Sequence, residues 1–428
     1  MDTPARAPSS VEAVMMYLKL GWRNLLRNKR RSLIAGTAIG VGLASLIFMD
    51  ALMAGMQKNM IDAATATFLG QGRIQRKGFR DTQQADLTIR RPGEVLSALG
   101  REPGLAHYAP RVLSFGMISS PSDVRSIQLV GIDPGSERHV SEIDDAIVAG
   151  SYFESAEGGA GTSGGADIVI GEKLASMLKV SLGDRLVVTV SEAGSGDLCQ
   201  DLFRVSGIFR LGIQEMDGAM AFVRLGRARE MLAIGEGIHE IALVFADPEA
   251  GGDPGLPFWG AYSRFGNEAV GWPEIMPQLE AVFELSRFST YLMGLILFGV
   301  VALGIINTLF MSLHERMFEF GVLRAVGTRP AGILGLVAAE AASLAAVSIV
   351  LGCILGFAVT AVVAANGIDY AGIEYSGVTI RKLIRPELCL RPYVEYPLWV
   401  LLFTVLVGLY PAAHAARMSP AAAMRRSL

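Results

Sequence analysis

The sequence predicts an α-helical membrane protein with four transmembrane helices and one large α+β extracytoplasmic domain inserted between the first and the second. Three observations carry this prediction. The 428 residues are 51% hydrophobic and 18% charged, with a mean hydropathy of +0.40, too apolar for an average soluble protein yet with ample polar sequence left for a folded domain. Four windows are long and apolar enough to cross a bilayer, which takes about 20 residues. The basic residues gather at the edges of those windows rather than along one patch.

The windows divide the chain. Residues 1–32 read as an amphipathic lead-in helix, because Met15, Leu18, Trp22, Leu25 and Leu26 recur at three- and four-residue steps while Lys19, Arg23 and Arg27 take the other side; a basic flank that only orients the first span is the alternative. The first transmembrane helix is 33–55, uncharged until Asp50. A cleaved signal peptide is the rival reading there, but no small-residue cleavage site follows before Lys58, so the helix is expected to be retained. Residues 56–287 form the extracytoplasmic domain, 288–313 the second helix, 314–330 an inner segment and 331–368 the third helix, whose one ionisable residue is Glu340. An intramembrane carboxylate is a functional candidate by default; this one lies near the inner end and is read as structural. An outer loop, 369–396, the fourth helix, 397–415, and a tail, 416–428, complete the order.

Orientation follows from the basic flanks. Lys19, Arg23, Arg27, Lys29, Arg30 and Arg31 precede the first span with no acid between Ala13 and Met49. Arg316, Arg324 and Arg329 follow the second, and Arg417, Arg425 and Arg426 follow the fourth, so both termini and the inner segment are expected in the cytosol. The outer loop dissents with Arg381, Lys382, Arg385 and Arg391, but it also holds Asp369, Glu374, Glu387 and Glu395.

Within the domain, strand-like stretches near 127–132, 186–190, 203–209, 219–223 and 240–245 alternate with helix-like ones near 171–179 and 226–234. The glycine-rich segment 157–165 reads as a loop that generates chance motifs. Gly161, Ser163 and Gly165 match a nucleophile elbow, and Gly159, Gly161 and Gly164 a dinucleotide fingerprint, but neither has the strand before it and the helix after it that the chemistry requires. The five histidines lack zinc-protease spacing. The three cysteines permit one disulfide between Cys199 and Cys389 without indicating it. No phosphate loop with its lysine is present, so the chain is not expected to hydrolyse ATP, to hold a cofactor or metal, or to act as an enzyme; a net charge of -3 gives no pull toward nucleic acid.

The inner segment is the most informative. Phe318, Phe320 and Leu323 stand beside Arg316, Glu319 and Arg324, apolar anchors among charges as at a protein contact; Glu319 and Arg324 are expected to pair with each other or with a partner. Arg316, Glu319, Gly321, Arg324, Ala325 and Gly327 fill the places of a signature, so the chain resembles the FtsX-like permease family of ABC transporters. The run from Leu20 to Ser32 resembles that family's lead-in helix, and Tyr410-Pro411-Ala412-Ala413 through Ser419-Pro420 its exit. The resemblance implies that Arg316, Phe318, Glu319, Phe320, Gly321, Arg324 and Gly327 meet a separate ABC ATPase subunit, which binds the ATP.

The outer domain decides the subgroup. Residues 127–134, 168–175, 182–184 and 205–209 are similar to the periplasmic core shared by lipoprotein-releasing (Lol-type) and MacB-type permeases, and 212–222, with Glu215, Met216 and Asp217, looks closer to the Lol type. This implies mechanotransmission at the bacterial inner membrane that releases lipoproteins to a periplasmic carrier, with MacB-type efflux or other envelope work as the alternative. A membrane sensor finds no inner domain large enough to signal, and a membrane hydrolase finds no site. Gly36 and Gly40, and Gly352 and Gly356, have the four-residue spacing of close helix packing, and the expected assembly is two permease chains with two ATPases.

Overall fold

The computed structural model describes residues 10–27, 29–153, 167–247, 249–369, 374–375, 378–379 and 383–417. The chance motifs between Gly159 and Gly165, and Arg381, Lys382, Ser419, Pro420, Arg425 and Arg426, lie outside these, as do the side chains of Leu18, Leu26 and Arg31. Two compact units emerge: Met1–Lys58 with Phe283–Asp369 and Leu383–Leu428, and Asn59–Val282 with Tyr370–Lys382.

The first unit is helical. An amphipathic helix, Ser10–Arg27, precedes the first-span helix Lys29–Ala64; then come Pro277–Glu315, a short helix Met317–Ala325, Pro330–Asn366 and Pro392–Arg417. Four of these are long and apolar enough to cross a membrane. The helices outrun the apolar windows because helix formers continue past them: the first passes Met60 without a proline, and the second already starts at Pro277. Proline and glycine punctuate the third, with Pro330 at its first turn and Gly367 ending it at φ +71°, a backbone conformation glycine adopts at little cost. Ile39, Leu43 and Ile47 of the first span meet Ile305, Leu309, Ala341, Leu344 and Val400 in one core. Burial is uneven: the apolar window of the first span is 50% buried, that of the second only 11%, so the second presents Leu292, Leu295, Ile296 and Leu303 outward.

The four glycines singled out by spacing line the crossing of the first and third spans inside this chain. A Cβ added to Gly40 would stand 3.2 Å from the Ser348 carbonyl oxygen, and one on Gly352 would stand 2.8 Å from the Gly40 carbonyl oxygen. Gly36 looks toward Ser348, and Gly356 touches Ala44 and Ile47. Small residues thus let the first and third spans approach within a few ångströms of backbone contact. The Ser10–Arg27 helix crosses the third span the same way, since a Cβ on Gly21 would meet the Ala339 carbonyl oxygen at 2.9 Å.

The second unit is the α+β domain. Its large sheet has ten strands, β1 Gly72–Arg76, β2 Leu105–Ser119, β3 Val124–Ile132, β4 Ile147–Gly150, β5 Asp167–Gly171, β6 Arg185–Ser191, β7 Leu198–Phe209, β8 Met220–Arg224, β9 Glu240–Phe245 and β10 Asn267–Gly271. They run in the order β10-β1-β9-β2-β3-β8-β5-β7-β4, while β6 bridges β2 and β7. The pairings β2-β3-β8-β5-β7-β6 therefore close a ring. Alternation along the strands fills its two sides: Ile168 and Ile170 join Val188, Phe203 and Val205 in one cluster, while Val169 joins Leu113, Phe209 and Phe222 in the other. Helices Glu172–Leu178 and Leu225–Met231 contribute Leu174, Leu178, Ala228 and Met231 to the first cluster. None of Cys199, Cys353 and Cys389 is in a disulfide, so no bond joins Cys199 to Cys389.

Inside the domain Arg111, Glu137 and Glu240 form a buried charged network. Arg111 on β2 donates from Nη2 to Glu137 at 2.6 Å and from Nη1 to Glu240 at 3.1 Å, and Arg73 reaches the other Glu240 oxygen at 3.1 Å. The Phe68 ring covers the Arg111 guanidinium at 4.0 Å. Burial alone would lower the pKa of Arg111, but the charges of Glu137 and Glu240 outweigh it and raise it. Beside this network the buried His239 ring accepts the Leu113 N–H on Nδ1 at 3.0 Å and donates from Nε2 to the Ala85 carbonyl at 2.9 Å, the pattern of one neutral tautomer.

Candidate coupling site

The second-span helix ends at Glu315, and Arg316, with φ -113° and ψ 16°, breaks it from the Met317–Ala325 helix. The break puts Arg316 at the centre of a charge chain. Its Nε donates to Glu319 Oε2 at 2.8 Å and its Nη1 to Glu340 Oε2 at 2.9 Å. Ser312 Oγ donates to Glu340 Oε1 at 3.0 Å, and Arg27 of the N-terminal helix pairs with Glu319 Oε1 at 3.1 Å. The sequence Arg27, Glu319, Arg316, Glu340 alternates in sign and ties the short helix to the N-terminal helix and to the second and third spans. The Phe320 ring lies 5.1 Å from the Arg316 guanidinium.

Environment grades the chain. The Arg316 and Glu340 side chains are 9% and 13% exposed, so each needs the other as a counter-charge. Arg27 and Glu319 are about half exposed. Burial pushes the Glu319 carboxyl up, but hydrogen bonds from Arg316 and Arg27 prevail and hold it below the usual carboxylate range.

The short helix has an inner and an outer face. Met317, Phe320 and Gly321 are buried, Phe320 packing with Leu313, Ile333, Leu336, Val337 and Ala412. Phe320 therefore anchors the helix from within and offers no surface. Phe318, Val322, Leu323 and Val326 are exposed. Arg324 does not pair with Glu319, whose oxygens are taken by Arg316 and Arg27; its Nη1 donates to the Thr328 carbonyl at 3.5 Å, and its Nε is buried without a partner among the described residues. Gly327 ends the helix at φ +102°: its N–H donates to Arg324 O at 3.1 Å and that of Thr328 to Leu323 O at 2.9 Å, the paired bonds of a Schellman C-cap. Arg329 is extended and Pro330 opens the third span.

Spacing along the chain marks Arg316, Glu319 and Arg324 but not the partners Arg27, Ser312 and Glu340, whose bonds in this network join residues 24 to 292 positions apart. The one available signal for Glu340 was its isolation in an apolar run.

The FtsX-like permease C-terminal family matches residues 291–420, and the MacB-like periplasmic core domain family matches residues 32–251, just over half of the chain. The chain is 24% identical over 362 residues to the lipoprotein-releasing system transmembrane protein LolC of Neisseria meningitidis serogroup B, covering 81% of this chain and 83% of that one. It is 25% identical over 441 residues to the protein of the same description from Xylella fastidiosa, covering 98% and 99%. To the lipoprotein-releasing system transmembrane protein LolE of Haemophilus influenzae it is 24% identical over 419 residues, covering 86% and 95%. With four apolar helices, a ring-closed α+β insert and these two matches in chain order, the protein belongs to the FtsX-like permeases that carry a MacB-like periplasmic core domain.

Proposed function

We propose that this chain is the permease subunit of an ABC complex that releases lipoproteins from the inner membrane, driven by a separate ATPase subunit docked on the Met317–Ala325 helix. The observation that carries the coupling is the Arg27–Glu319–Arg316–Glu340 charge chain: a helix with an exposed apolar face is bound through it to the spans, so a push on that face reaches them directly. Phe318, Val322 and Leu323 supply the docking surface, while Arg316, Phe320 and Gly327 fix the helix's position. The names of the three relatives support lipoproteins as the cargo class. In this reading both termini lie in the cytosol, a second permease chain, identical or related, completes the membrane unit, and a periplasmic carrier receives the cargo. The chain itself performs no catalysis, and the ATP is bound by its partner.

The test is copurification with the ATPase and ATP-dependent lipoprotein release from proteoliposomes, measured side by side. Glu319→Arg places a third cation between Arg27 and Arg316, and Gly321→Trp forces an indole into a buried position. Both variants should insert in the membrane but bind the ATPase weakly, or bind it without release, with activity down by about tenfold or more. Glu374→Arg is the control and should change neither. Full release in both inner variants would place the coupling elsewhere.

A further inference from the structure

At the other end of the spans, within the helical unit, a cavity of about 280 Å³ opens between the first, second and fourth spans. Its charged and aromatic lining includes Asp50, Arg287, Tyr291, Arg391, Glu395 and Tyr396. Two cations and two anions make it zwitterionic. Asp50 accepts the Tyr396 hydroxyl at 2.9 Å on one carboxylate oxygen, leaving the other free to accept. Glu395 pairs with Arg391 at 2.9 Å. The Arg287 side chain has no ion pair or hydrogen bond among the described residues.

Depth identifies what the cavity meets. Asp50 stands 18 residues beyond Ser32 on one continuous helix, about 27 Å along its axis at 1.5 Å per residue. That is close to the roughly 30 Å hydrocarbon thickness of a bilayer. A cavity at this level faces lipid head groups, and the surface around it is apolar: Leu292 of the second span and Val394 and Leu398 of the fourth are exposed, a path on which acyl chains can lie.

We propose that this cavity binds the head group of one zwitterionic phospholipid, its phosphate on the unpaired guanidinium of Arg287 and its ammonium on the free oxygen of Asp50 and on Glu395. A guanidinium suits a phosphate because its fork of donors matches two phosphate oxygens. A primary ammonium suits the carboxylates and the Tyr291 ring. Phosphatidylethanolamine carries both groups; phosphatidylglycerol lacks the amine, and diacylglycerol lacks both.

The full chain, purified in mild detergent, is mixed with equal amounts of these three lipids, and retained lipid is counted by native mass spectrometry. Phosphatidylethanolamine should be held above phosphatidylglycerol, and diacylglycerol least. Arg287→Ala and Asp50→Asn should each lower phosphatidylethanolamine retention about tenfold, while Arg287→Lys keeps part of it. Arg287 is exposed and unpaired, so its replacement leaves the fold unchanged and decides the matter alone if Asp50→Asn fails to fold. Unchanged retention in Arg287→Ala, or diacylglycerol held as well as phosphatidylethanolamine, overturns the site. Phosphatidylglycerol held as well as phosphatidylethanolamine overturns the zwitterionic assignment.

Discussion

Gly352→Ala and Gly36→Ala should change stability in opposite directions, although both residues belong to four-residue glycine pairs on the same crossing. In Gly352→Ala the new methyl would stand 2.8 Å from the Gly40 carbonyl oxygen and 2.9 Å from two carbons of Leu43. Neither neighbour yields readily: one is backbone, and Leu43 is 1% exposed in the core. The helices must part by about 0.5 Å to restore ordinary contact, which thins the packing along Gly40, Leu43 and Ile47, a cost of about 1–3 kcal/mol. Replacing a helical glycine returns about 0.5–1 kcal/mol, so the net loss is about 0.5–2 kcal/mol. In Gly36→Ala the nearest atoms are Ser348 Oγ at 3.5 Å and Leu344 Cδ1 at 3.9 Å, which is normal contact, and the backbone gain of about 0.5–1 kcal/mol stands unopposed. Unfolding of both variants in mixed micelles of rising SDS fraction measures the difference. Equal midpoints, or a Gly352→Ala protein as stable as the parent, would refute the steric account.

Glu340→Leu should cost about 3–5 kcal/mol, because it leaves the nearly buried Arg316 guanidinium with the half-exposed Glu319 as its one counter-charge among the described residues, and adding Arg316→Met should recover much of that loss; a double-mutant cycle in the same micelles reads the coupling. Arg111→Met should destabilise the domain by a similar amount, about 3–5 kcal/mol, by leaving Glu137 uncompensated at zero side-chain exposure and Glu240 with Arg73 alone, seen as accelerated limited proteolysis between β2 and β9. Burial holds His239 below the usual imidazole range, so the unfolded chain takes up that proton at a higher pH than the folded one. The domain should have its full stability above about pH 6.5 and lose some as pH falls below it, until the folded ring itself titrates. His239→Gln should flatten that part of the profile of unfolding midpoint against pH.

The four spans and the α+β nature of the insert are legible in the sequence because each rests on local pattern: long uncharged runs, and alternation around Ile127, Val188, Val205 and Ile241. Strand β2 is not legible, although it is the longest, because Pro110, Gly116 and a buried arginine interrupt its apolar rhythm. Arg111 reads as a solvated charge until the fold brings Glu137 and Glu240 to it from 26 and 129 residues away. The same limit applies at the coupling site. Its glycines and charges announce a special segment, but which charge meets which depends on the N-terminal helix crossing at Gly21, and on the third span carrying Glu340 back beside Arg316.

The connection between the short helix and the third span leaves no slack. Between Leu323 and Pro330 the N–H groups of Val326, Gly327 and Thr328 cap carbonyls of the short helix, Gly327 makes a left-handed turn and Pro330 opens the span, so the length of this joint sets the rotational phase of everything after it. One inserted residue, taken up as helix, would turn the third span by about 100° about its axis. Glu340 would swing away from Arg316, and Gly352 away from Gly40, in a single step. The segment behaves as an indexing key, and its length is constrained as tightly as its composition.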